Sequence, residues 1–269
     1  MNNYSILIDC PDEYLDILVV FFNYLRLNWP DRKNTIYITT NSKRIIAPDN
    51  VVFIECGFDN DSIQRSKTAL ETIKDRYVLI MDCDCFVSKP VCDKEMTNLV
   101  EYMEQNSIKY IKLWKSVNRE QRKYKTDFVN LYFCNKKARY TRSLMANLWE
   151  RNEYTKEVID SGLNGWQVEK KWLSESKKSP KGYFLDYLFY SKDPLHILHS
   201  ISKGKWIRAA FKKSIRKGMI DKKKNTRKLL SVKQTIKNNI SSFLCNHLSA
   251  KIVYKLKNIV GSDKFVSKD

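Results

Sequence analysis

Residues 77–90 read YVLIMDCDCFVSKP, and this stretch limits the possible folds more than any other part of the chain. Tyr77 to Met81 is an uncharged run too short for a buried helix and of the right length for a strand covered on both faces. It ends in Asp82 and Asp84. In extended backbone, residues two apart project to the same side, so both carboxylates would stand just past the strand's C-terminal end. Open α/β sheets take their ligands there. Two converging acids repel unless a cation lies between them, and hard oxygen donors suit Mg²⁺ or Mn²⁺.

The chain on either side fits a sheet of this kind. Residues 5–8 form an apolar run closed by Asp9-Cys10-Pro11, a strand stopped by proline. Asp12 is placed to cap a helix over 13–27, where Leu15, Leu18, Val19, Phe22 and Leu25 recur at helical spacing until Trp29-Pro30. Strands follow at 36–40 and 51–55, then a helix over 62–75 leading into the opening motif. Beyond Pro90 the pattern predicts a helix over 93–105, strands over 110–114 and 128–133, and a helix over 140–149 entered through Thr141 or Ser143. Strands alternating with helices give an α/β, mostly parallel sheet with flanking helices. Right-handed crossovers then bring the ends of the first and fourth strands together. Asp9, Thr40 and Asn41 would meet a nucleoside base or ribose, and Arg65 and Lys67 a phosphate.

With 269 residues, 43% hydrophobic and 12% aromatic, the chain can bury one sizeable core or a core with an appendage. No apolar run approaches the roughly 20 residues that span a bilayer, and MNNYSILIDC lacks a basic leader and cleavage site, so a cytoplasmic protein is expected. Seven cysteines, an odd number without a framework spacing, read as reduced thiols. Cys83, Cys85 and Cys92 have no fourth Cys or His close in sequence, which argues against a thiolate metal site.

The layout, with YSILIDC, IYITTNS, RYVLIMDCDCF, GLNGWQVE and KGKW, resembles the GT-A (Rossmann-like) nucleotide-sugar glycosyltransferases of bacterial capsule and lipopolysaccharide biosynthesis, over about residues 4–210. The resemblance implies that Asp82 and Asp84 hold Mn²⁺ or Mg²⁺ on the diphosphate of a nucleotide-sugar donor, a UDP-sugar above all. Inverting members carry a catalytic acid about 85 residues further on, at the head of a helix under the acceptor, a spacing that selects Glu169 as general base. HSISKGKW, residues 199–206, loosely resembles the His-x-x-Gly-x-x-Lys-Pro-Trp motif of glycogenin-like retaining transferases, with the glycine shifted and the proline absent. By that likeness His199 would be a third metal ligand, and Lys203, Lys205 and Trp206 would hold the donor diphosphate. An inverting outcome is favoured over a retaining one.

Charge divides the chain. From Ile201 onward sixteen Lys and three Arg face three Asp, a net +16 of the total +19. Ile207, Ala210, Phe211 and Ile215 alternate with Lys212, Lys213, Arg216 and Lys217, an amphipathic basic pattern that suits an anionic membrane surface. A catalytic domain over 1–206 and a basic membrane-association region over 207–269 are therefore expected, with a glycan or glycolipid acceptor at the inner face of the cell membrane. Nucleic acid is the rival polyanion, but the tail has few aromatics for base stacking and favours Lys over Arg. The alternative function is a non-catalytic polyanion-binding protein on an α/β scaffold.

Overall fold

The computed structural model describes residues 4–58, 60–114, 124–138, 140–223, 225–236, 238 and 240; the expectations for 241–269, including Cys245 and His247, lie outside them. In chain order the elements are Tyr4–Asp9 (β1), a 3-10 turn Asp12–Tyr14, Leu15–Asn28 (α1), Ile36–Thr40 (β2), Val51–Glu55 (β3), Ser62–Thr72 (α2), Tyr77–Asp82 (β4), Cys85–Val87 (β5) and Asp93–Gln105 (α3). Then come Tyr110–Lys112 (β6), Leu131–Asn135 (β7), Asn147–Glu150 (β8), Arg151–Tyr154 (α4) running into a π-helical turn Thr155–Ile159, and Gly165–Lys178 (α5). Tyr183–Tyr190 (β9), Ile197–His199 (β10), Ile201–Ser202 (β11), Lys205–Trp206 (β12) and Arg208–Arg216 (α6) complete the set.

One eight-stranded sheet, in the order β3-β2-β1-β4-β8-β6-β9-β7, organises the molecule. β1 to β4 pair in parallel, and the register places Asp9 opposite Asp82. β8 runs antiparallel between β4 and β6, β9 is parallel to β6, and β7 closes the far edge antiparallel to β9. The mostly parallel α/β sheet read from the sequence is present.

Tyr77 to Met81 of β4 carry no charge because both faces of the strand are covered there. Tyr77, Leu79 and Met81 enter one apolar cluster with Phe21 of α1, Leu99 of α3 and Phe211 of α6. Val78 and Ile80 enter the other, with Ile63 of α2, Val158 of the π turn and Trp172 of α5. Each large side chain removed from water contributes about 1.5–3 kcal/mol, so the strand's alternation fixes which helices lie on which side.

Two local readings are corrected and one strand is added. The stretch 140–149 is not a helix; it ends in β8, where Leu148 faces the first cluster and Trp149 the second. Its period is two, and Trp149 packs among Tyr110, Tyr154, Trp172 and Tyr187. Asp12 does not cap α1. Its carboxylate accepts from the backbone N–H of Asn41 (2.9 Å) and of Ser42 (3.1 Å), tying the end of β2 to the turn after β1. The eight-residue β9 escapes pattern reading because Asp186 interrupts it and Leu185 is exposed.

α6 packs on the same core as β1 to β4. Ala210 and Phe211 are buried, and Ser214 Oγ lies 3.1 Å from Tyr24 Oη of α1. Downstream, the Trp206 N–H donates to Lys228 O (2.9 Å) and the Leu230 N–H to Trp206 O (2.9 Å).

Candidate active site

β4 delivers Asp82 to the C-terminal edge of the sheet, and the Cys83 N–H then donates to Asp9 O at 3.0 Å. The chain turns there and returns as β5, leaving Asp84 in the bend. β5 is held by β10 in an antiparallel ladder that sets His199 opposite Cys85. Both the N–H and the hydroxyl of Ser200 donate to Asp84 O, at 3.0 and 2.8 Å. This fixes the bend against β10 and brings His199 Nε2 to 3.2 Å from Asp84 Oδ2. The Trp114 ring stands edge-on to the imidazole at 6.2 Å.

The charges explain what the arrangement can hold. Asp82 reaches solvent, Asp84 is buried, and their carboxylate oxygens lie within 4.8 Å of one another and of Cys85 Sγ. The protein packed around Asp82, followed by the charges of Asp84 and Asp9, pushes its pKa up to about 8. Desolvation pulls His199 down, but its hydrogen bond to Asp84 and the charges of Asp84 and Asp82 outweigh it, so its pKa rises. Burial drives the Cys83 and Cys85 thiols well up, so they stay protonated and offer no thiolate. Two carboxylates crowded at one point and a histidine beside them fit a hard divalent cation, which would relieve the repulsion.

Glu169 lies in the second turn of α5, whose start is fixed by a capping box between Asn164 and Gln167. It accepts from the Leu144 N–H at 3.3 Å. Burial raises its pKa, the Leu144 N–H and Lys112 oppose that rise, and its own charge is felt at Asp82. Asp9, Asp82, Asp84, His199 and Glu169 are thus gathered by the fold.

Several other expected contacts already bond within the protein. Arg65 is buried and spends its guanidinium on Asp9, with two bonds of 2.7 Å, and on Asn60 O at 2.7 Å. It stiffens Asp9, to which Thr39 Oγ1 also donates at 2.9 Å. Asn41 bridges Gly57 O and the Asp12 N–H with its amide, and Thr40 is fully buried. Trp206 is fully buried too, against Phe86 and Phe211, its indole N–H donating to Asn225 Oδ1 at 2.9 Å. It anchors the β11–β12 hairpin. Lys203 and Lys205 flank the turn of that hairpin, where Lys203 and Gly204 take left-handed backbone (φ 52° and 69°), and neither joins an ion pair among the described residues.

Three residues by the site carried no motif. Tyr14 is raised by burial and then by the charge of Asp84. Arg227 lies 4.7 Å over the Tyr14 ring. Lys112, at the end of β6, is buried and donates to Tyr140 O; burial pulls its pKa down to about 8, against the pull of Cys134 and Glu169. A lysine ending an otherwise buried strand is a readable signal, whereas Tyr14 and Arg227 meet only through tertiary folding. A shallow depression lined by Asn106, Ser107, Tyr183 and Leu185 lies at the opposite edge of the sheet.

No family model matches the sequence, and no curated protein matches it. Among solved structures it is similar to TarS 1-349 of S. aureus, at 8% identity over 70% of this chain and 58% of that one, with a TM-score of 0.41. It is also similar to the mannosyltransferase PcManGT of Pyrobaculum calidifontis in complex with GDP-Man and Mn²⁺ (11% identity, 80% and 60% covered, TM-score 0.46). The bifunctional IspDF of Campylobacter jejuni is a further neighbour (13%, 73% and 52%, 0.38). The chain spans little more than half the length of each of these three. The likeness is one of fold.

Proposed function

We propose that the chain is a GT-A-type glycosyltransferase that moves a sugar from a nucleotide-sugar donor, a UDP-sugar above all, to a hydroxyl of a lipid-linked oligosaccharide or of a lipopolysaccharide or capsule acceptor. The observation that supports this reading is the convergence of Asp82, Asp84 and His199 at the C-terminal edge of the sheet, with Glu169 near enough to sense Asp82. Asp82 and Asp84, with His199 as third donor, would hold Mn²⁺ or Mg²⁺. When bound, the cation supplies positive charge to the diphosphate that departs.

The chain's own groups do the rest. Glu169 accepts the proton of the acceptor hydroxyl as that oxygen bonds to the anomeric carbon, and its raised pKa makes it a better base than a solvated carboxylate. Lys203 and Lys205, on the hairpin turn, offer mobile point charges to the phosphates. Asp9, held rigid by Arg65 and Thr39, faces the nucleoside. A base placed to take the acceptor's proton favours inversion. The basic C-terminal region, 207–269, would bring the domain to the inner face of an anionic membrane, where a glycolipid acceptor is presented.

The test is a panel of nucleotide sugars, UDP-glucose, UDP-galactose, UDP-N-acetylglucosamine and GDP-mannose, scored by melting temperature with and without Mn²⁺. One donor at about 100 times its Kd should raise the melting temperature by about 5 °C or more, only with the metal present. Asp84→Asn should erase that rise, whereas Glu169→Gln should keep it and lower transfer by about 10²–10⁴-fold. A protein that no nucleotide sugar stabilises, or an Asp84→Asn variant that responds like the native chain, would leave the non-catalytic polyanion-binding reading in its place.

A further inference from the structure

Ser88, directly after β5, is buried and carries two ammonium groups at once. Lys213 Nζ donates to its hydroxyl oxygen (3.0 Å) and Lys217 Nζ to its carbonyl oxygen (2.9 Å), while the hydroxyl itself donates to His196 O (2.7 Å). The two lysines are one helical turn apart on α6 and are drawn to a single residue. Lys89 follows Ser88 in sequence, and Arg216 stands between the lysines on the helix. None of these four cations is in an ion pair among the described residues. The Lys213 pKa is pulled down, by burial first and then by the charges of Lys217, Lys89 and Arg216. A folded protein ordinarily spreads such charges or seats a carboxylate among them.

The rest of α6 is already engaged. Ala210, Phe211 and Ser214 form its buried side, while Lys212 and Arg216 are exposed and Lys213 and Lys217 are half-buried. We propose that Lys89, Lys213, Arg216 and Lys217 form a docking face for the phosphate headgroups of an anionic phospholipid surface. Three lysines supply point charges, and the arginine can take a phosphate by two parallel bonds. The charge complementarity selects this partner, since the excess of +16 begins at Ile201 and continues to the chain's end. Val232, Ile236 and Ile240, four residues apart and each more than half exposed, follow just after Leu230, whose carbonyl is held by Arg208 at the head of α6. Exposed apolar side chains in the same basic region suit the boundary between headgroups and acyl chains. α6 thus contributes charge without inserting, because its apolar side is spent on the core.

This sharpens the membrane part of the function proposed above and rests on it only for the choice of a lipid surface. The test uses the full chain, cosedimented at low salt with phosphatidylcholine vesicles with and without phosphatidylglycerol. The native chain should bind only the anionic vesicles. Lys213→Gln/Arg216→Gln/Lys217→Gln should lose about 100-fold in partitioning, about fivefold per charge. Lys89→Gln, at an exposed position, should lose about fivefold with no change in melting temperature, which separates lost charge from lost fold. Partitioning of the triple variant within twofold of native, equal binding to neutral vesicles, or full displacement by inorganic phosphate alone would overturn the proposal. Metal-dependent donor stabilisation, measured without vesicles, should be the same in the native and triple-variant chains. Vesicle binding without any donor effect would therefore sink the catalytic reading and leave this one standing.

Discussion

Asp82 keeps its proton to higher pH than an ordinary aspartate does, because the protein around it and its neighbours Asp84 and Asp9 resist a further negative charge. Its folded pKa is about 8, raised from an ordinary value of 3.8. Between those values the folded chain binds a proton that the unfolded chain has released, so stability falls as pH rises through that window. Below it both states are protonated and nothing is gained or lost. His199, whose pKa is also raised, acts in the same direction: its contribution is complete below the ordinary histidine value and fades as pH rises through the folded one. The metal-free protein should therefore melt at a lower temperature at pH 8 than at pH 5. Mn²⁺ should flatten that slope and Asp82→Asn should remove most of it. A melting temperature that rises from pH 5 to 8 without metal would contradict the crowded-carboxylate account. At this scale Asp82 and Asp84 were legible because their spacing and position already fix chemistry. That Arg65, Asn41 and Trp206 bond within the protein was not legible, because a side chain's type does not say whether its polar atoms are already taken.

Between residue and molecule, the short ladder of β5 and β10 does the assembling. It is three residues long, yet it carries His199 across 115 positions of sequence to Asp84. Its far side is supported by Phe86, which stacks on Tyr24 at 5.0 Å and meets Trp206 at 5.9 Å. Trp206→Ala should cost about 3–5 kcal/mol by leaving a cavity in this layer. It should also loosen the β11–β12 hairpin, so that hydrogen exchange quickens at residues 201–206 before it does in β1 and β4. An unchanged melting temperature would show that Trp206 is not the support its burial indicates. β8 teaches the matching lesson about reading elements. Leu148 and Trp149 are adjacent and both fully buried, which a helix with one buried stripe rarely manages and a strand between two covered faces requires. β1 to β4 and the three α-helices up to residue 105 were legible because each is long enough for its period to show. β5, β10, β11 and β12, of two or three residues each, are too short for any period.

Across the whole molecule, the first and last described parts of the chain meet through Arg227. Its guanidinium bonds both oxygens of Asp16 (2.7 and 3.0 Å), Gly204 O (3.0 Å) and Glu13 O, and covers Tyr14 beside the carboxylate site. The sheet domain and the start of the basic region are thereby one packed unit as far as Leu230. Arg227→Ala should cost about 1.5–3 kcal/mol, since charge-assisted bonds are lost while Asp16 remains solvated. It should raise proteolytic cutting near residues 225–230 while the central strands stay protected; equal protection in both chains would show that the clasp holds nothing. The sequence by itself determined the uncharged run of the fourth strand, the pair of acids at its end, the alternation of strands and helices and the lopsided charge, because each is a local pattern set by backbone period or by composition. Tertiary structure alone decided that His199 meets Asp84, that Arg65 and Trp206 bond within the protein, and that Ala210 and Phe211 of α6 face the core. Those outcomes depend on which distant groups burial forces together, and burial is a property of the packed whole.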